Sequence, residues 1–137
     1  MAGKILLEVV TPEKQLLSQE VDEVIAPGSE GEFGVLPGHC HFLSTLRIGE
    51  LRYRVGDRTN HMAILWGYAE VTPHKVTVMA EIAEKAEDID VERAQAAVAR
   101  AEQRLKAGGL PSEVKEAEIS LEKARLRMKL AQRARKS

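Results

Sequence analysis

One cysteine, Cys40, stands among 137 residues, and Phe, Trp and Tyr together make up only 4% of the chain. A lone thiol cannot close an internal disulfide, so no covalent framework holds the fold and a reducing compartment is expected. Residues 88–137 contain no Phe, Tyr or Trp. That segment has no platform on which bases could stack, and nucleic acid is not an expected partner. Apolar runs are short, Met62 to Trp66 being typical, whereas a membrane-crossing helix needs roughly 20 such residues, so direct membrane insertion is not expected. The opening Met-Ala-Gly-Lys lacks an apolar signal core and the Arg- and Ser-rich bias of a transit peptide. A cytosolic or cytosol-facing protein is expected.

Catalytic groupings are missing as well. No Ser/His/Asp, Cys/His or paired-carboxylate arrangement can be assembled, so no catalytic residue is assigned and the chain reads as a non-enzyme. His39, Cys40 and His41, with His61 elsewhere, raise the question of a metal. Neighbours on an extended segment point to opposite sides, and no C-x-x-C or H-x-x-x-H spacing is present, so no metal site is expected. Gly-rich spacing in the same region does not match a phosphate cradle. A P-loop ends in Gly-Lys-Ser/Thr at a helix start, while here Gly38 precedes His39, and Glu30 and Glu32 would repel phosphate.

What is present is unevenly distributed. Residues 1–87 carry 8 Lys and Arg against 13 Asp and Glu, net −5, whereas residues 88–137 carry 12 against 8, net +4. No acid follows Glu122, and Lys123, Arg125, Arg127, Lys129, Arg133, Arg135 and Lys136 crowd the end. Such a basic tail seeks an anionic partner.

The hydrophobic period changes at the same boundary. Ile5, Leu7 and Val9, then Val24 and Ala26, then Leu51, Tyr53 and Val55, then Val76, Val78 and Ala80 recur at every second residue. Turn signals separate them: Thr11-Pro12, Pro27-Gly28, Gly56-Asp57 and Thr72-Pro73-His74. Short alternating strands at regular spacing predict a β-sandwich over residues 1–87. From about residue 88 the period is helical. Asp90 is placed to cap one helix that Gly108-Gly109 ends, and Pro111-Ser112 opens a second. An antiparallel helical hairpin over residues 88–137 follows, making the chain mainly β with an α appendage.

Each helix has one narrow apolar seam. Val91, Ala94, Val98, Ala101 and Leu105 follow steps of three and four, as do Val114, Ala117, Leu121, Ala124, Met128 and Ala131. Five of these eleven are alanine, which permits close approach but buries little area. The hairpin is expected to be marginal alone, and to exchange between docked and open arrangements.

The thirteen residues Pro27 to His39, P-G-S-E-G-E-F-G-V-L-P-G-H, hold four glycines and two prolines around one short strand, Glu32 to Leu36. Together with Val9-Val10-Thr11-Pro12 and Gly67-Tyr68-Ala69-Glu70-Val71, this run resembles the epsilon subunit of the bacterial F-type ATP synthase over nearly the whole chain. The resemblance implies a ten-stranded sandwich of two sheets followed by the two-helix hairpin. It further implies a non-catalytic subunit that couples the central stalk to the rotor ring and inhibits ATP hydrolysis through the hairpin. The implied partners are the gamma subunit, the c-subunit rotor ring, and the alpha and beta subunits, at the cytoplasmic face of the bacterial inner membrane as a peripheral protein.

Site residues follow from the same resemblance. Glu32 and His39 match positions that contact the rotor and stalk. Ile89-Asp90-Val91-Glu92-Arg93-Ala94 fits an I-D-x-x-R-A pattern that marks ATP binding in some epsilon subunits, with Glu84, Arg100, Lys123 and Arg127 completing the site. Lys123 departs from the arginine common there and lacks its planar fork. Regulatory ATP is the only small molecule implied, and no cofactor is required. Against this stands a simpler reading, in which Asp90 only caps the helix and Arg93 is solvated. Lys123, Arg125, Arg127, Lys129 and Arg133 are implied to meet an acidic loop on the beta subunits. Two alternatives remain open: a free-standing ATP sensor, and a nucleic-acid adaptor acting through the basic tail.

Overall fold

The structure, a computed structural model, describes residues 3–39 and 41–136, the last two by backbone alone. Cys40 and the side chains of Arg135 and Lys136 lie outside the described residues. The chain divides into two compact units, residues 1–85 and 86–137.

The first unit is built from eight strands: β1 Ile5–Val10, β2 Gln15–Val21, β3 Glu23–Gly28, β4 Gly31–Val35, β5 Phe42–Leu46, β6 Gly49–Val55, β7 Arg58–Thr72 and β8 Lys75–Lys85. They pair in the order β2-β1-β8-β7-β5-β3-β4, and β6 also bridges β3 and β7. All pairs are antiparallel except β1 with β8. Because β5 and β6 both lie between β3 and β7, the sheet folds over on itself. The alternating residues that point inward fill the space enclosed: Ile5, Leu7, Val9, Val24, Ala26, Leu51, Val76 and Val78 are all buried. The period-two faces are thus the core.

Among the described residues eight strands, not ten, make up this sandwich, because β7 and β8 each run past a corner without interruption. β7 pairs with β6 through Ile64 and with β5 from Gly67 onward. At the change of neighbour Trp66 takes φ 60° and Gly67 φ 151°. Any Cβ at residue 67 would overlap the Met79 carbonyl oxygen on β8, so only glycine lets the two strands stay paired through the corner.

Turns are fastened by side chains. Asp22, between β2 and β3, accepts from the Gly56 amide at 2.7 Å and from Lys4 Nζ at 3.1 Å. The Gly56 hydrogen bond, followed by that of Lys4, holds its carboxyl below the ordinary range.

The second unit opens with one 3-10 turn, Ala86–Asp88, followed by α1 Val91–Ala107 and α2 Pro111–Lys136. Asp90 caps α1, its Oδ1 accepting from Arg93 N at 3.1 Å. Gly108, at φ 71°, ends it. Glu113 reaches back to accept from the Leu110 amide at 2.9 Å, fixing the entry to α2. Ion pairs of Glu102 with Arg125 (3.6 Å) and Arg104 with Glu116 (3.7 Å) run in opposite senses along the helices, as an antiparallel pair requires. The seam alanines Ala94, Ala101, Ala117 and Ala124 are all buried.

Candidate functional site

Close approach of two helices at alanine leaves longer neighbours standing on either side of a shallow floor. Between α1 and α2 this produces a groove of about 420 Å³, floored by Ala97, Ala101 and Ala124 and walled by Arg100, Arg104, Ser120, Lys123 and Arg127. Arg100 and Arg104 are one turn apart on α1, as Lys123 and Arg127 are on α2, so each helix contributes a pair of cations to the same side. The lining contains four basic side chains and no acid. Its volume falls in the range of small-ligand sites, and its charge suits a polyanion such as a triphosphate.

Of the eight residues implied for ATP, the groove gathers Arg100, Lys123 and Arg127. Ile89, Asp90, Arg93 and Ala94 are elsewhere, at the entry to α1. Arg93 precedes Arg100 by two helical turns, about 10 Å along the axis. The Asp90 carboxylate is engaged in capping, and Ala94 is taken up by the buried seam. Glu84 belongs to β8, in the first unit. Arg104 was not singled out from sequence, although its i+4 spacing from Arg100 was the signal that would have found it.

The five basic residues assigned to a beta-subunit contact do not form one patch. Arg125, Lys129 and Arg133 follow each other at four-residue steps along one side of α2, and Arg125 is tied to Glu102. Lys123 and Arg127, two residues out of phase, turn to the groove.

Glu32 and His39 belong to separate clusters. Glu32 lies on β4 and receives the fork of Arg52, Nη1 to Oε2 at 3.3 Å and Nη2 to Oε1 at 3.4 Å. His39 follows the β4–β5 turn, where Gly38 N donates to Pro73 O at 2.9 Å and so pins the loop to the β7–β8 turn. The imidazole sits edge-on to Phe42 at 6.3 Å, and Phe42 in turn to Phe33 at 5.0 Å. Around this loop Leu36, Phe42 and Leu43 are exposed.

A further surface escaped the sequence reading. Val10, Met79, Tyr68 and Thr45 occupy one register line across β1, β8, β7 and β5. With Pro12 and Trp66 they line an apolar groove of about 700 Å³ on the outer side of the sandwich, where Tyr68 and Met79 are exposed.

Among the described residues no group of three or more His, Cys, Asp or Glu side chains is placed to hold a metal. Nor, among the described residues, is any helix long and apolar enough to cross a membrane.

Comparison with known proteins fits both units. The ATP synthase Delta/Epsilon chain β-sandwich domain matches residues 4–86, and the long α-helix domain of the same chain matches residues 87–132. The sequence is 54% identical to the ATP synthase epsilon chain of Syntrophobacter fumaroxidans over 133 residues, covering 97% of this chain and 99% of that one. It is 53% identical to the epsilon chain of Citrifermentans bemidjiense over 137 residues, covering 98% of each. Among solved structures, a chain of the Euglena gracilis mitochondrial ATP synthase, described as OSCP/F1/c-ring, aligns with a TM-score of 0.80 at 25% identity, over 91% of this chain and 79% of that one. A chain of the Tetrahymena thermophila mitochondrial ATP synthase central stalk and c-ring shares the fold, with a TM-score of 0.60 at 16% identity over 93% and 96%.

Proposed function

The chain belongs to the ATP synthase Delta/Epsilon family as a non-catalytic subunit, and from that premise we propose that its sandwich couples the central stalk to the rotor ring while its helical hairpin restrains ATP hydrolysis. The observation that carries this reading is the match to epsilon chains at about half identity across both units.

Each surface has a role in this proposal. The apolar groove of Val10, Trp66, Tyr68 and Met79 receives the gamma subunit of the stalk. Glu32 and His39 contact the rotor and stalk from the turn-rich side. Arg125, Lys129 and Arg133 face an acidic segment of the beta subunits, and the alpha subunits flank them. The four-cation groove takes the triphosphate of a regulatory ATP when the helices are paired, with Arg104 as a member of the set in addition to Arg100, Lys123 and Arg127. ATP is then sensed through a population shift, because it binds the paired state better than the open one. The protein works at the cytoplasmic face of the inner membrane, without inserting.

The test is the ATPase rate of a cognate F1 complex reconstituted with the full chain or with a chain cut after Glu87. Faster hydrolysis with the truncated chain, at equal assembly, is expected. Equal rates would remove the inhibitory role. Failure to assemble with a stalk subunit, with ATP binding retained, would favour a free-standing sensor; salt-dependent RNA or DNA binding would favour the adaptor.

A further inference from the structure

Arg52 lies between two carboxylates, Glu50 on its own strand and Glu32 two strands away. On β6 it is opposite Ile25 of β3 and His61 of β7, while Glu32 of β4 is one strand beyond β3. Its guanidinium serves two carboxylates at once. Nη1 donates to Glu50 Oε1 at 3.0 Å, and the fork spans both oxygens of Glu32. The two carboxylates differ sharply in setting: Glu50 is 6% exposed, with its second oxygen 2.7 Å from His61 Nδ1, whereas the Glu32 side chain is 45% exposed. One side of Arg52 is therefore held in a buried, hydrogen-bonded anchor, and the other holds a surface group.

We propose that Arg52 is a positioning residue, which uses buried Glu50 as its anchor to hold the Glu32 carboxylate in one orientation for the partner that Glu32 meets. The inference rests on the reading of Glu32 as a rotor or stalk contact. A free surface glutamate samples several rotamers and loses that freedom on binding. Bidentate contact with a fixed guanidinium removes the freedom beforehand. Only a planar fork does this, since a lysine ammonium supplies the same charge without fixing the plane of the carboxylate. The Glu50 hydrogen bond is the first cause of the raised proton affinity of Arg52, whose guanidinium is in any case charged at every pH at which the complex works. Neighbouring Arg54 does not compete for Glu32, being engaged with Glu23 at 3.6 Å and Asp22 at 3.9 Å.

The experiment compares the full chain with its Glu32→Gln, Arg52→Lys and doubly substituted variants, each titrated into membranes holding an F1Fo complex stripped of this subunit. ATP-driven proton pumping and thermal melting are recorded together. Arg52→Lys is expected to raise the concentration needed for half-recovery of pumping by roughly threefold to tenfold, and to add nothing to Glu32→Gln. An unchanged titration for Arg52→Lys beside a weakened one for Glu32→Gln would overturn the inference while leaving the contact reading intact. Equal losses from Arg52→Lys with and without Glu32→Gln would also overturn it, because Arg52 would then act without Glu32. No loss from Glu32→Gln would remove the contact reading and the inference with it. The unsubstituted chain gives an independent check: side-chain couplings of Glu32 in solution should report one χ1 rotamer, and averaged values would refute the positioning role even if Arg52→Lys failed to fold.

Discussion

Replacing Asp90 separates two roles that its position allows, helix cap and nucleotide ligand. In the structure its Oδ1 takes the Arg93 amide at 3.1 Å, one of the donors that the first turn of α1 leaves without an intrahelical partner. Asp90→Ala abandons that amide and should cost about 1 kcal/mol, the usual value for losing an N-cap. Roughly fivefold more opening of α1 follows. Asp90→Ser keeps an oxygen within reach of the same amide and removes the charge, so it should leave helix opening nearly unchanged. Amide hydrogen exchange over residues 94–107 provides the assay, with calorimetry at millimolar ATP beside it. If Asp90 only caps, exchange rises about fivefold in the Ala variant alone, and ATP heat survives in the Ser variant. If it also binds nucleotide, the Ser variant keeps its protection but loses the heat. Equal acceleration of exchange in both variants, or none in the Ala variant, would refute the capping argument.

Other perturbations test the sandwich. Gly67→Ala places a Cβ against the Met79 carbonyl oxygen at a backbone angle that side chains rarely adopt, and should cost about 2 to 4 kcal/mol. A fall of about 10 °C or more in the melting temperature of the sandwich is expected by calorimetry, and a fall of only a degree or two would contradict the close approach at the corner. Asp22→Asn tests the pH dependence. Because its carboxyl is held below the ordinary value in the folded chain, the stabilisation is present above the unfolded carboxylate range and is lost as pH falls through the lower folded value. Urea midpoints should therefore show the Asn variant less stable at pH 7, with the gap closing toward pH 3. A gap independent of pH would mean that the carboxylate charge contributes nothing.

Much of the architecture was legible because its causes are local. The alternation of Ile5, Leu7 and Val9 needs only the two-residue period of a strand to define an inner face, and all three are buried. The end of α1 at Gly108 and the cap at Asp90 depend on backbone freedom and on an oxygen three residues from an amide. The seam alanines announced themselves by spacing alone. Strand number was less legible. Ten strands were expected and eight are formed among the described residues, because continuity of β7 and β8 through the corner depends on pairing across the sheet, which Gly67 permits but does not by itself specify.

The sequence by itself therefore settled the inner face of alternating strands such as β1, the seam alanines, the cap and the end of α1, and that the basic charge gathers at the far end of the chain, but not the burial of consecutive Met62 to Leu65 or of Leu130. Tertiary structure alone decided what meets what. Twenty positions separate Glu32 from Arg52, and they are joined because β3 lies between their strands. Val10, Met79, Tyr68 and Thr45 form one surface only once four strands adopt their register. The basic residues of α2, uniform in sequence, divide into a row that enters the groove and a row that faces away from it, since helical phase gives residues two apart nearly opposite directions. Local propensity acts over a few residues, whereas strand register is fixed by packing the whole core, and the surfaces that the proposed function uses on the sandwich are products of the second.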